Sequence, residues 1–141
     1  MQIDSTIGDS SVILQNFYNS TLSTNINTFG NIESAILNGD YATAQSLNGY
    51  VTPNSLIESN YKLVYDVIIK NTDSTFNNID SLNLITLASS CPAINGDAVY
   101  QARILYNNIY NSYQYFENNC TIVQIENIKI KLSSMVFMRQ T

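Results

Sequence analysis

From Asp97 onward the apolar residues Ala98, Ala102, Leu105, Ile109, Tyr113 and Phe116 recur at steps of four, three, four, four and three. At 100° per residue that spacing draws one narrow stripe on a helix, and it is incompatible with the two-residue period of a strand. Asp97 is a good N-cap type, so the spacing predicts one continuous helix over 97–117. Small alanines lead and bulky groups follow, which predicts close packing at the helix start. Tyr100, Ile104 and Tyr115 fall on the opposite side. A helix apolar on two faces either runs through the middle of the fold or offers its back face to a partner.

The rest of the chain breaks into helix-length pieces at Gly30, Gly39, Gly49, Pro53, Pro92 and Gly96. Ile13, Phe17, Leu22 and Ile26 predict a helix over 10–28, capped by Asp9 or Ser10. Asn31 can cap a short helix carrying Ile32, Ala35 and Ile36 that Asn38-Gly39 stops, and Asp40 opens the next one through Tyr41, Ala44 and Leu47. These two form a helical hairpin. Ser55-Leu-Ile-Glu58 is a capping box for a helix over 54–71 with Ile57, Tyr61, Val64 and Ile68 on its face and Val67 beside them. Asp80 caps a helix carrying Leu84, Leu87 and Ala88 that Cys91-Pro92 ends, because the residue before proline is pushed out of the helical region.

The tail reads two ways. Ile128, Ile130 and Leu132 alternate with Lys129 and Lys131 as in a strand, while Ile122, Ile125, Ile128, Leu132 and Met135 also fit a helix. β-branched enrichment favours the strand. Such a strand would seek the N-terminal residues or another chain, which makes 121–132 a candidate for self-association. The fold class is thus all-α: packed antiparallel helical hairpins, about five to six helices, in a single domain with core 10–117 and a short extended tail at 120–141. Asn38-Gly39-Asp40 and Asn95-Gly96-Asp97 echo each other, as any two hairpin turns would, and the full 34-residue tetratricopeptide pattern is absent.

Function is bounded mainly by exclusion. The 141 residues contain no His, so Ser-His and Cys-His pairs and the commonest zinc ligand are unavailable. Eleven acids oppose six scattered bases, Lys62, Lys70, Arg103, Lys129, Lys131 and Arg139, for a net charge of −5, which speaks against phosphate tracking and against nucleic acid as a partner. No apolar run is long enough to insert in a membrane. Twenty Asn, sixteen Ser, eleven Thr and ten Tyr give a neutral polar surface of the kind paratopes use, and an AT-rich genome produces the same bias. Met1 to Ser10 carry Asp4 and Asp9 and no apolar core of a signal peptide, leaving a cytoplasmic protein or a piece of a longer chain. Asn19-Ser-Thr and Asn119-Cys-Thr fit the glycosylation sequon.

Chemistry would fall to carboxylates, Tyr, Lys or Cys. Glu58 and Asp66 lie two turns apart on adjoining faces, and nothing in the sequence makes a cleft around them. No calcium loop, phosphate loop or Cys-x-x-Cys site occurs, so no cofactor or metal is implied. Cys91 and Cys120 would lie near opposite ends of a helix about 30 Å long, whereas a disulfide needs Cα atoms within about 7 Å. Two free or buried thiols are therefore expected. Arg103 is either an interface anchor beside Tyr100, Ile104 and Tyr115, or a bond to helix-end carbonyls or to an acid such as Asp66.

Two stretches carry a resemblance. One is Pro53-Asn54-Ser55-Leu56-Ile57-Glu58-Ser59-Asn60-Tyr61-Lys62-Leu63-Val64, with its Pro, Glu-x-Asn-x-Lys-x-Val order. The other runs Ala88-Ser89-Ser90-Cys91-Pro92 and then Gly96-Asp97-Ala98-Val99-Tyr100-Gln101-Ala102-Arg103. Together they resemble a helical region that recurs in large secreted and cell-surface proteins of Bacteroidota, substrates of type IX secretion. The resemblance implies a helical, extracellular or surface-attached module with no catalytic role, whose partner is another protein or other domains of the parent chain. A small acidic binding protein of the immunity or inhibitor kind, or a phage structural component, is the alternative, and a carboxylate-dependent hydrolase stands further off.

Overall fold

Ser55 opens the helix around which the others pack: its Oγ accepts the backbone N–H of Glu58, and α4 runs from Leu56 to Thr72. The Glu58 carboxylate does not close the box on Ser55 itself; it accepts the N–H of Asn54, at 2.7 Å, and the side-chain amide of Asn25, at 2.8 Å. A local cap thereby also ties two distant segments together. The structure, a computed structural model, describes residues 12–118 and 120, apart from the side chain of Tyr18. Among them there is no strand, and the other helices are α1 (Val12–Thr21), α2 (Asn25–Leu37), α3 (Tyr41–Tyr50), α5 (Asn78–Ala88), α6 (Pro92–Asn95) and α7 (Ala98–Ile109).

Helix α4 is shared by two apolar clusters. Tyr65 and Ile69 join Phe29, Ile32, Ala35, Ala44 and Val51 of the α2/α3 hairpin. Val64 and Val67 join Leu84, Leu87, Ala88, Ala98, Val99 and Ala102 of α5 and α7. Buried positions on both sides of one helix mean that α4, not α7, is the middle of the fold. Lys62 secures one side: its Nζ donates to Asn48 O and Val51 O at the end of α3, where the helix dipole favours a cation. Asn48 returns a bond from Nδ2 to Lys62 O.

The all-α class stands, with shifted boundaries. The segment expected as one helix over 10–28 is split at Leu22–Thr24, where Thr24 is extended (φ −99°, ψ 161°) and its Oγ1 donates to Thr21 O. Runs of Ser and Thr offer the backbone such alternatives to helix. Asn31 is no cap, because α2 starts at Asn25 and carries Gly30 in its interior at a tolerable propensity cost. Gly39 (φ +74°) ends α2 with the bonds Asp40 N to Ala35 O and Gly39 N to Ile36 O, a Schellman turn, and Asp40 then caps α3 on Thr43 N. For α5 the cap is Asn77, and Asp80 occupies the third helical position, accepting the Asn77 N–H in a reciprocal capping box. The tail strand expected over 121–132 and the caps Asp9 and Ser10 lie outside the described residues.

The largest correction concerns the helix expected over 97–117. Helix α7 stops at Ile109, because Asn111 turns left-handed (φ 46°) and Ser112 N reaches back to Asn107 O at 2.9 Å. Asparagine tolerates that conformation and makes a Schellman-type end. Residues 112–118 then return without regular structure, and Cys120 meets Cys91 in a disulfide with Cα atoms 4.9 Å apart. The two thiols expected to stay apart are joined because the helix assumed to separate them ends early.

Candidate functional site

The return segment is held by two side chains of α7 acting as clamps. Asn107 accepts the Gln114 N–H at 3.0 Å and the Ser112 hydroxyl at 2.8 Å on Oδ1, and donates from Nδ2 to Gln114 O at 3.1 Å. Arg103 reaches both ways: Nε donates to Ala88 O at 2.8 Å and Nη2 to Ser90 O at 3.4 Å, while Nη1 donates to Asn118 Oδ1 at 2.7 Å and Nη2 to Glu117 O at 3.2 Å. The guanidinium also lies over the rings of Tyr100, 5.4 Å away, and Phe116, 5.8 Å away. Phe116 is buried among Leu87, Ala88 and Ala102, and its ring meets Tyr106 edge-on at 5.7 Å. Arg103 therefore joins the end of α5 to the segment that delivers Cys120 to Cys91. Of its two expected roles the geometry takes the first half of the structural one, helix-end carbonyls, and Asp66 pairs with Lys70 at 2.8 Å instead.

The other expected interaction residues separate into two places. Tyr100 and Ile104 project from the outer face of α7, 46% and 63% exposed. Tyr115, 83% exposed, sits on the return segment beside Ser89, Gln114 and Glu117 and shares no helix face with them. Ile104 forms one wall of an open groove of about 440 Å³, with Leu105 of α7, Ile36 and Leu37 of α2, and Val64 and Ile68 of α4. Among the described residues Glu33 is the charged side chain at the groove, accepting the Tyr65 hydroxyl at 3.1 Å. Burial first, and then Glu33, push the Tyr65 hydroxyl well above its ordinary value, so it stays a neutral donor. The groove was not legible in the sequence, since its walls come from three helices far apart in the chain.

A second cavity, of about 540 Å³ and lined by both charged and apolar side chains, lies between α3, α4 and α5. Its cations are engaged: Lys62 holds helix-end carbonyls, and Lys70 Nζ donates to Asp66 and Asp80, each at 2.8 Å. Those bonds, Asp66 first, raise Lys70 above its ordinary value. Glu58 and Asp66, the two acids two turns apart, serve different partners, one capping α4 and the other pairing with Lys70. Among the described residues no three acidic or cysteine side chains gather as metal ligands, and no helix is long and apolar enough to cross a membrane.

Comparison with family models, curated proteins and solved structures gives no match.

Proposed function

We propose that this chain is a non-catalytic structural or protein-interaction module of a secreted or cell-surface protein, of the helical kind that recurs in Bacteroidota proteins exported by type IX secretion. The observation that carries this reading is the Cys91–Cys120 disulfide, because disulfides persist in oxidising compartments and are reduced in the cytosol. The motif residues behind the resemblance all have scaffolding roles that fit it. Cys91 is bonded, Pro92 starts α6, Gly96 takes a positive φ, Ala98 and Ala102 are fully buried, and Arg103 clamps the return segment. The module presents the outer face of α7, Tyr100 and Ile104, to a protein partner or to neighbouring domains of its parent chain. A cytosolic immunity or inhibitor protein would sit in a thiol pool that keeps such a pair reduced.

The test is the thiol state in the native host. Intact cells are treated with an alkylating reagent before lysis, and the protein is digested with trypsin without reductant. Residues 71–103 and 104–129 should be recovered as one disulfide-linked species, on a protein that a membrane-impermeant label reaches in whole cells. Alkylated Cys91 and Cys120 on a protein that the label does not reach would overturn the reading.

A further inference from the structure

We infer that the hollow between the return segment and the end of α5 binds a neutral sugar ring, with Tyr115 as its platform. The inference goes beyond the interaction reading, which places a protein partner on the outer face of α7.

The hollow measures about 310 Å³ and is lined by Ser89, Gln114, Tyr115, Phe116 and Glu117. Its polar groups are uncommitted. The bonds that Gln114 and Glu117 make to Asn107 and Arg103 use their backbone atoms and leave their side chains free. Among the described residues the Ser89 hydroxyl, the Gln114 amide and the Glu117 carboxylate have no partner, and the ring of exposed Tyr115 meets no other ring or cation.

Rigidity is the second argument. A segment without regular structure ordinarily loses conformational freedom when it binds, and a small ligand offers little energy to offset that loss. Here the segment is ordered beforehand. Asn107 holds Gln114 through both its N–H and its C=O, Arg103 holds Glu117 and Asn118, Phe116 is buried among Leu87, Ala88 and Ala102, and Cys120 is bonded to Cys91. The platform and its polar groups therefore sit on a fixed frame.

Chemistry selects the ligand. The face of a tyrosine ring is the negative side of its quadrupole, and it attracts the weakly positive C–H bonds that line one face of a pyranose. The hydroxyls at the rim of that pyranose both donate and accept, which suits a hydroxyl, an amide and a carboxylate together. An anionic ligand finds no partner: Arg103 spends its N–H groups on four acceptors, Glu117 repels it, and the chain carries a net −5. A purely apolar ligand would cover Gln114 and Glu117 without bonding them.

The experiment titrates the full oxidised, 15N-labelled chain with methyl β-D-glucopyranoside, methyl α-D-mannopyranoside and methyl β-D-galactopyranoside, each to about 50 mM, because one small contact gives millimolar affinity. At least one glycoside should move the amide resonances of Gln114, Tyr115 and Glu117 saturably, and saturating the protein signals should transfer to that sugar's ring protons. Tyr115→Ala should weaken binding tenfold or more; the residue is exposed, so an unchanged circular dichroism spectrum checks that the fold is kept. Tyr113→Ala, also exposed and outside the hollow, should leave the affinity as it was. No saturable shift with any of the three glycosides, or shifts that Tyr115→Ala leaves in place, overturns the inference. So does tighter binding of acetyl-lysyl-threonine amide at the same resonances, which would make the hollow a seat for a basic peptide. Each of these outcomes leaves the outer face of α7 untouched, so the two readings fail separately.

Discussion

Removing the cross-link gives the sharpest quantitative test of the fold. Cys91 and Cys120 are 29 residues apart in sequence, and the chain-entropy expression for a closed loop of that size gives about −12 cal/mol/K in the unfolded state, or roughly 3.6 kcal/mol at 25 °C. The folded state keeps most of its contacts without the bond, because Arg103, Asn107 and buried Phe116 still hold the return segment. Cys91→Ala/Cys120→Ala should therefore fold to the same helical structure and lose about 2 to 4 kcal/mol. In urea, with a slope of about 1.5 kcal/mol/M for a chain of this size, the midpoint should fall by roughly 2 M. The slope itself should rise, since an uncrosslinked unfolded chain exposes more surface. Far-UV circular dichroism under titration reads both quantities. A midpoint shift below about 0.5 M with an unchanged slope would refute the reasoning and mean that the bond does not constrain this loop.

Three further expectations follow from particular residues. Ala102 is fully buried against α5 and Tyr100 is not, so Ala102→Leu should cost about 1 to 3 kcal/mol by overpacking while Tyr100→Ala costs under about 1 kcal/mol; urea titration that reverses the order would put the wrong face of α7 inside. Arg103→Lys keeps the charge and loses the fork that reaches four acceptors on two segments, and should cost about 2 kcal/mol, close to Arg103→Ala; a Lys variant as stable as the parent would show that charge alone suffices. The Tyr65 hydroxyl and the Lys70 ammonium are both raised above their ordinary values by the folded state. Their contribution is complete below about pH 10, near the unfolded values, and is lost as pH climbs above them toward the folded values, so the melting temperature should fall between about pH 10 and pH 12, and a flat profile over that range would contradict the assignment.

Much of the local structure is legible in the residues. Asp40 and Ser55 cap the helices they were expected to cap, Gly39 stops α2, and the alanines at 98 and 102 lie in the core. Each of these depends on contacts within one or two turns, which sequence spacing encodes directly. Expectation failed where two local signals competed. Around residue 110, Asn111 signals a helix end while Tyr113 and Phe116 continue the apolar step; a side chain can reach the same cluster along a straight helix or by folding back, and periodicity does not distinguish the two. Phe116 takes the second route, and Tyr113 ends 98% exposed.

What the sequence by itself determined is the class of element, the caps Asp40 and Ser55, the stop at Gly39, and the absence of histidine chemistry. Only the tertiary structure decided which helix lies in the middle, that Arg103 grips α5 and the return segment together, that Cys91 and Cys120 meet, and that α2, α4 and α7 leave a groove between them. The physical reason is range. A cap or a stop is settled by groups a few bonds away, whereas the pairing of the cysteines follows from where α7 ends, at Ile109 and not at 117, and each of those eight residues moves the following segment by about 1.5 Å.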